Sequence, residues 1–245
     1  MSVLTVSSRV KKRLTAIPEG KIFDISNLGV TANEDQSALV KTLSRLAKTG
    51  VIKRAARGKY FKPQITRFGT LAPDENEIIK LFLVKRNQTI GYETGLSLYN
   101  KLGLTTQIPK TIVIARNVRL KDRTQDNIKI KFVLQSIRFK SSDILVLQLL
   151  DVLKDINKIP DSSPTKAVLV IIEKLKSMEE KELKKMIKFS LEYNPRTRAL
   201  LGAILDCYFK SIDVSIIADS LNPITIYKIG IRSDVLSNHL NWNII

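Results

Sequence analysis

Polar and basic side chains recur at helical spacing near the N-terminus of this sequence. Ser37, Lys41, Ser44 and Lys48 are three or four residues apart, and Arg45 adjoins them. Residues at this spacing share one face of an α-helix. Hydroxyl, ammonium and guanidinium groups donate hydrogen bonds to base edges and phosphates. The spacing therefore predicts a helix that enters the major groove of a DNA duplex.

A basic hairpin is predicted directly after this helix. The runs Val51 to Ala55 and Lys59 to Lys62 flank Arg57 and Gly58, and glycine accepts the positive φ that a tight turn requires. The hairpin segment contains no acidic residue and several basic ones: Lys53, Arg54, Arg57, Lys59 and Lys62. We expect Arg54, Arg57 and Lys59 to contact the flanking DNA backbone or the minor groove, as a β-wing does.

The polar stripe needs a buried face opposite it. Apolar residues at i, i+4 and i+7 predict that face: Leu39, Leu43 and Leu46. Asn33 is the predicted N-cap, with Gln36 three residues later in a variant of the capping box, and Gly50 is the predicted left-handed residue after the helix.

The preceding residues predict the rest of a winged helix-turn-helix. An amphipathic first helix is indicated by Val6, Val10, Leu14 and Ile17, and its outer face carries Arg9, Lys12 and Arg13. Pro18 ends this helix, and Lys21 to Phe23 is a predicted strand.

Asp24 then caps a one-turn helix around Ile25 and Leu28, and Gly29 makes the turn into the next helix. The order helix, strand, helix, turn, helix, wing predicts a DNA-binding domain over residues 1–62. The competing interpretation is a small helical domain that packs against a partner protein through the same surface.

Positive charge is concentrated in the N-terminal part of the chain. The net charge is +18 over 245 residues. Residues 1–62 carry 13 Lys and Arg against 4 Asp and Glu, whereas residues 141–245 carry 14 against 13. This distribution predicts a polyanionic partner of the N-terminal half. Double-stranded DNA is favoured over a membrane surface because the basic residues lie on a compact predicted domain.

Length and composition predict a second, larger domain, residues 63–245, after a linker at Pro63 to Pro73. No signal-peptide core and no apolar run of about 18 residues is present, so a cytoplasmic protein without membrane contact is expected. Cys207 is the only cysteine and is predicted to be a buried, inert thiol. No metal or other cofactor is expected.

Periodicity predicts an α+β organisation for the second domain, beginning with a helix that Asp74 caps and a helix from Glu93 to Leu102. Two strands follow, Thr111 to Ala115 and Ile128 to Val133. The basic residues between them are Arg116, Arg119, Lys121 and Arg123. They form either a solvated hairpin connection or an accessory phosphate contact.

The C-terminal third is predicted to be helix-rich. Helices are indicated from Ser142, over Thr165 to Lys176, over Glu179 to Tyr193 and from Arg196 to Phe209, with a strand at Ile224 to Ile229 and Trp242 anchoring the tail. Arg196 and Arg198 stand at the start of their helix, where the dipole disfavours positive charge. They either meet acidic partners or project into solvent.

Several segments resemble AbiEi-like antitoxins of type IV toxin–antitoxin systems. The most specific are Gly91 to Ala115, GYETGLSLYNKLGLTTQIPKTIVIA, and Asn194 to Leu205, NPRTRALLGAIL. Others are RAARGKYFKP from Arg54, SDILVLQLLDVLKDINKIPD from Ser142 and SLNPITIYKIGI from Ser220. The resemblance implies a protein that represses its own promoter through the N-terminal domain. Its C-terminal region would counteract a co-encoded nucleotidyltransferase-like toxin, without an assumed direct complex.

A catalytic function is not expected. The strongest pattern is Pro160-Asp161 with Glu182 and Lys184, a metal-dependent nuclease arrangement, but Glu182 and Lys184 fall in a predicted helix instead of a strand. His239 is the only histidine. The alternative to an antitoxin is a DNA-binding regulator, unlinked to a toxin, whose C-terminal domain senses a ligand or partner.

Overall fold

The computed structural model describes residues 5–29, 36–85, 88–125 and 127–245. It is a mixed α+β protein with 46% helix and 17% strand, which confirms the predicted class. The chain divides into two compact units, the first ending at Phe82 and the second beginning at Leu83. This division falls later than the predicted linker, and the functional division at residues 62 and 63 stays a prediction.

The first unit combines helices with a small antiparallel sheet. Its elements are α1 (Val6–Thr15), β1 (Ile22–Asp24), a 3-10 turn (Ile25–Leu28), α2 (Gln36–Lys48), β2 (Lys53–Ala56), β3 (Lys59–Phe61), β4 (Ile65–Thr66), β5 (Gly69–Thr70) and α3 (Glu75–Leu83). Strand β3 lies between β1 and β2, and Phe61 is opposite both Ile22 and Lys53.

Local sequence signals account for the ends of these elements. The Thr5 hydroxyl accepts a hydrogen bond from the Ser8 amide at 3.2 Å and caps α1. Asp24 and Asn27 form a reciprocal capping box around the 3-10 turn, which confirms the predicted cap. Gly50 has φ +75°, as predicted after α2. The cap predicted at Asn33 lies outside the described residues.

The predicted linker contains the short hairpin of β4 and β5. Helix α3 follows, with the Asp74 carboxylate accepting a hydrogen bond from the Asn76 amide at 2.8 Å. A carboxylate oxygen of Glu77 accepts from the amide of Ile22 in β1 at 3.2 Å. Helix α3 is thereby tied to the sheet of the first unit.

The second unit contains a four-stranded mixed sheet. After the hairpin β6 (Val84–Lys85) and β7 (Gln88–Thr89) come β8 (Gly91–Thr94), α4 (Leu96–Lys101), β9 (Thr111–Arg116), β10 (Arg123–Gln125) and β11 (Ile128–Leu134). The strand order is β10-β11-β9-β8. Strands β9 and β11 are parallel, so the prediction of a hairpin connection between them was wrong. Antiparallel pairing occurs between β10 and β11 instead.

The helix predicted from Glu93 begins only at Leu96. Residues 91–94 pair with β9, and Glu93 lies opposite Ile114. Gly95 at the junction has φ +68°, and a β-carbon there would lie 3.2 Å from Cγ2 of Val113. Pairing with β9 holds residues 91–94 in a strand. The positive φ of Gly95 then ends that strand, so the helix begins at Leu96.

Helices build the rest of the second unit. They are α5 (Ile144–Lys154), α6 (Pro164–Lys176), α7 (Glu180–Ser190), α8 (Pro195–Tyr208) and α9 (Ser215–Asp219), with short 3-10 turns at Ser141–Asp143, Ile156–Lys158 and His239–Trp242. The strand predicted at Ile224 to Ile229 is reduced to one isolated bridge between Tyr227 and Ile244. In the described part of the chain, no helix combines the length and apolar character of a membrane span.

Candidate functional site

Helix α2 has one buried face and one exposed polar face. The predicted residues Leu39, Leu43 and Leu46 are buried, together with Thr42. They pack in one cluster with residues from α1, β1, the 3-10 turn and the segment before β2: Val10, Leu14, Phe23, Leu28 and Ile52. Ser37, Lys41, Ser44 and Lys48 are all exposed. Packing of the leucine face fixes the direction in which this polar stripe points.

Arg45 is exposed but is also engaged within the unit. Its Nη2 donates a hydrogen bond to the Ser7 hydroxyl of α1 at 2.9 Å. At 100° per residue, Arg45 lies at the edge of the stripe nearest Lys41. This hydrogen bond orients one side of the guanidinium.

The hairpin of β2 and β3 has the predicted turn, with Gly58 at φ +71°. Lys53, Arg54 and Arg57 are exposed. The Nε of Arg54 donates to the carbonyl of Ala56 in the same strand at 3.3 Å, where the pairing of β2 with β3 changes register.

Acidic residues from outside the hairpin moderate its charge. Nζ of Lys59 lies 3.9 Å from the Asp24 carboxylate, and Nζ of Lys62 lies 3.6 Å from that of Glu19. The sequence pattern did not indicate these pairs because Asp24 and Glu19 precede their partners Lys59 and Lys62 by more than thirty residues. Arg57 and Lys53 are therefore better placed than Lys59 to neutralise an external phosphate.

Basic residues of α1 form a second positively charged surface in the first unit. Arg9, Lys12 and Arg13 line a depression of about 380 Å³ together with Gly29. A β-carbon at Gly29 would lie 3.3 Å from Nε of Arg13. The amphipathic pattern placed these side chains on the outer face of α1, but it gave no indication that Gly29 lies beside them.

The segment after β9 is held against β11 by two contacts with Phe132. The guanidinium of Arg123 lies 5.7 Å from the centre of the Phe132 ring, and the carboxylate of Asp122 accepts a hydrogen bond from the Phe132 amide at 3.0 Å. Burial lowers the pKa of Arg116, and the positive charge of Arg123 lowers it further. Contact between this segment and phosphates stays a prediction.

Arg196 meets a backbone group instead of an acidic side chain. Its Nη2 donates to the carbonyl of Lys154, the last residue of α5, at 3.1 Å. That carbonyl is at the negative end of a helix dipole, which suits a cation. Nε of Arg198 is buried and has no hydrogen-bond partner in the described structure. Neither predicted alternative, an acidic partner or simple solvent exposure, describes these two arginines.

A cavity of about 440 Å³ with polar and apolar walls lies in the second unit, beside the buried carboxylate of Asp151 on α5. One carboxylate oxygen accepts from the hydroxyl groups of Tyr92 at 3.0 Å and Thr94 at 2.8 Å. The other oxygen accepts from the hydroxyl of Tyr193 at 2.8 Å. The side-chain amide of Gln135 donates to both phenol oxygens, at 2.7 Å for Tyr92 and 3.3 Å for Tyr193.

Burial governs the ionisation of this network. It raises the pKa of Asp151, against hydrogen bonds from Thr94, Tyr193 and Tyr92 that stabilise the carboxylate. It also raises the pKa of Tyr92 and Tyr193, and the charge of Asp151 raises both further. The sequence analysis missed this site. The available signal was one aspartate inside the apolar run ILVLQLLDVL, because a buried carboxylate requires polar partners.

Comparison with known proteins gives a family and a fold. A protein-family profile described as "Family of unknown function (DUF6088)" matches residues 9–183. The chain is also similar to a solved structure entitled "Crystal structure of RV2827C protein from Mycobacterium tuberculosis", with a TM-score of 0.51 and 11% identity over 94% of this chain and 86% of that chain. At this identity the similarity concerns the fold alone. No curated protein matches the sequence.

Proposed function

This chain belongs to DUF6088, a family of unknown function, and from its own geometry we propose that it is a DNA-binding transcriptional autorepressor whose first unit is a winged helix-turn-helix. The order α1, β1, 3-10 turn, α2, hairpin supports this assignment, as does the antiparallel sheet with β3 at its centre. The protein would act in the cytoplasm, on double-stranded DNA of its own promoter.

One observation carries the proposal: the exposed stripe of α2 lies opposite a fully packed leucine face. The exposed line of Ser37, Lys41, Ser44 and Lys48 belongs to a helix without any acidic residue, which suits contact with a polyanion. In our proposal these residues and Arg45 read base edges, while Lys53, Arg54 and Arg57 bind phosphates. Lys59 has a smaller role because Asp24 shares its charge.

Fluorescence anisotropy with the full chain tests the proposal. We expect the duplex from upstream of its own gene to bind roughly a thousandfold more tightly than a shuffled duplex of equal length, at about 150 mM salt. Equal affinity for the two duplexes would exclude a sequence-specific repressor. The salt dependence of the shuffled duplex provides the control for purely electrostatic binding.

We also propose an antitoxin role, which is supported only by the resemblance of the second unit to AbiEi-like antitoxins. The functional partner would be a nucleotidyltransferase-like toxin encoded beside this chain, with no direct complex assumed. Cells that express the adjacent gene should grow only when this protein is present. A full-length Lys41→Ala, Arg57→Ala variant should lose repression and retain rescue.

A specific observation favours a second candidate function, a regulator whose second unit senses a ligand. The cavity beside Asp151 has the size and the convergent polar groups of a small-molecule site. The nature of the neighbouring gene separates the candidates: a toxin gene whose product arrests growth supports the antitoxin. In neither function does the chain act as an enzyme.

A further inference from the structure

The buried carboxylate of Asp151 forms no ion pair within the part of the chain that the structure describes, although the positive charge of Lys154 acts on it at longer range. Only 7% of the residue is exposed, and within the described residues its hydrogen-bond donors are the hydroxyl groups of Tyr92, Thr94 and Tyr193. Within the described residues, no lysine or arginine lies within ion-pair distance of it; Lys154, one turn further along α5, is exposed. Buried carboxylates in proteins are normally paired with a positive charge.

The hydroxyl and amide hydrogen atoms around Asp151 already form hydrogen bonds within the network. Each of the three hydroxyl groups donates to Asp151, and the Gln135 amide donates to the phenol oxygens. The amide oxygen of Gln135 accepts from the Ile137 amide at 3.1 Å. A carboxylate offers about four acceptor positions, of which three are filled here. What the network can still offer to a ligand is oxygen lone pairs, so a ligand must be a hydrogen-bond donor.

The remaining walls restrict the ligand further. Val113, Ala115 and Val133 contribute apolar surface to the cavity, and two further carboxylates line it, the half-buried Asp155 and the exposed Glu192. The lysines that line the cavity, Lys131 and Lys154, are both exposed and so face a solvent that screens them. A volume of about 440 Å³ accommodates a ligand of modest size.

We propose that this cavity binds a small organic cation, a guanidinium or primary ammonium group on a short alkyl chain, with its charged head on Asp151 and its chain against Val113 and Ala115. The ligand would place a positive charge in direct contact with the Asp151 carboxylate. One of its N–H groups would fill the remaining acceptor position of that carboxylate. This proposal is independent of DNA binding by the first unit.

A purely structural role for Asp151 makes a different prediction. The network joins α5 to β8 and to Tyr193, which precedes α8, so it would stabilise the fold even with no ligand. Such a role gives loss of stability on substitution but no saturable binding of a cation.

Calorimetric titration of the full chain distinguishes the two roles. The probes are butylguanidinium and butylurea, which have nearly the same shape and differ in charge, at constant ionic strength. We expect one saturable site for butylguanidinium and at least about tenfold weaker binding of butylurea. Equal affinities, or no saturable binding of the cation, would overturn the proposal.

Substitutions then locate the site. Asp151→Asn removes the charge with little change of shape and should weaken binding of butylguanidinium at least about tenfold in a protein that still unfolds cooperatively. Wild-type affinity in a folded Asp151→Asn protein would contradict the assignment.

A surface pair keeps the test decisive if Asp151→Asn does not fold. Glu192→Lys, near the exposed edge of the cavity, should weaken binding by about threefold. Glu173→Lys makes the same change of charge on α6, outside the cavity lining, and should leave the affinity unchanged. Equal effects of the two substitutions would show that the cation responds to overall charge and not to this cavity.

Discussion

The indole ring of Trp242 fills the space where a side chain of residue 202 would stand. A β-carbon added to Gly202 would lie 2.1 Å from Cζ3 of the ring. Nε1 of the indole donates to the carboxylate of Asp206 at 3.3 Å, one turn further along α8, and Asn238 donates to the same oxygen at 2.7 Å. The C-terminal segment is therefore attached to α8 at a position that only glycine can occupy.

Gly202→Ala should destabilise the protein, although alanine is the better helix former. The gain in helix propensity is about 1 kcal/mol, whereas overpacking of a buried site costs about 1 to 3 kcal/mol and requires the anchored indole to move. Urea unfolding measures the difference. In a Trp242→Leu background the same substitution should cost less, and an equal cost in both backgrounds would contradict the contact.

Lys185→Met should destabilise the protein because it leaves the buried carboxylate of Asp143 without its ion-pair partner. Nζ of Lys185 lies 2.6 Å from Asp143, whose side chain is only 8% exposed. Burial raises the pKa of Asp143, but hydrogen bonds from Lys185, the Lys140 amide and Ser142 together lower it below its usual 3.8. We expect a loss of about 1 to 2 kcal/mol at neutral pH, limited because Lys185 is 41% exposed to screening solvent.

The effect of Lys185→Met should depend on pH. Because the folded-state pKa of Asp143 is lowered, its stabilising contribution exists above 3.8 and disappears as the pH falls through the folded-state value. The difference between Lys185→Met and wild type should therefore shrink in acid. Lys188→Met, at an exposed lysine of the same helix α7, is the matched control and should show little effect at any pH.

Asp151→Asn should change the pH dependence of stability in the opposite direction. Burial raises the pKa of Asp151, so its favourable contribution is present below 3.8 and is lost as the pH rises through the folded-state pKa. The asparagine variant, which cannot ionise, should gain stability relative to wild type as the pH rises. The slope for one proton is at most about 1.4 kcal/mol per pH unit. Urea unfolding across the acidic range tests this, and a constant difference between the proteins would refute it.

Base and phosphate contacts should respond differently to alanine substitution. Lys41→Ala should weaken binding to the specific duplex by about 1 to 3 kcal/mol, with a smaller effect on a shuffled duplex. Arg57→Ala should weaken both duplexes alike and lower the salt slope by about 1. Anisotropy titrations over a range of salt concentrations measure both. Lys174→Ala, at an exposed lysine of α6, controls for the loss of one charge. If Arg57→Ala instead abolished sequence preference and kept the overall affinity, the roles of Arg57 and Lys41 would be reversed.

Short-range signals predicted several elements of the first unit. The leucine spacing of α2, the Asp24 cap and the positive φ of Gly58 each depend on residues within one or two turns of chain. Helical periodicity and glycine conformation are properties of such short segments. The exposed polar stripe on α2 could therefore be predicted from the sequence together with its buried opposite face.

Long-range pairing decided the second unit. Glu93 and Thr94 were predicted to begin a helix, yet they belong to a strand because β9 is available to pair with them. Strands β9 and β11 run parallel, where adjacency in sequence favoured a hairpin. The partners of Asp151 are 59, 57 and 42 residues away along the chain, at Tyr92, Thr94 and Tyr193. No local periodicity encodes contacts of that separation, because strand pairing depends on which neighbours the tertiary fold provides. The sequence by itself determined the faces and ends of single elements, and only the tertiary structure placed a buried carboxylate beside a cavity.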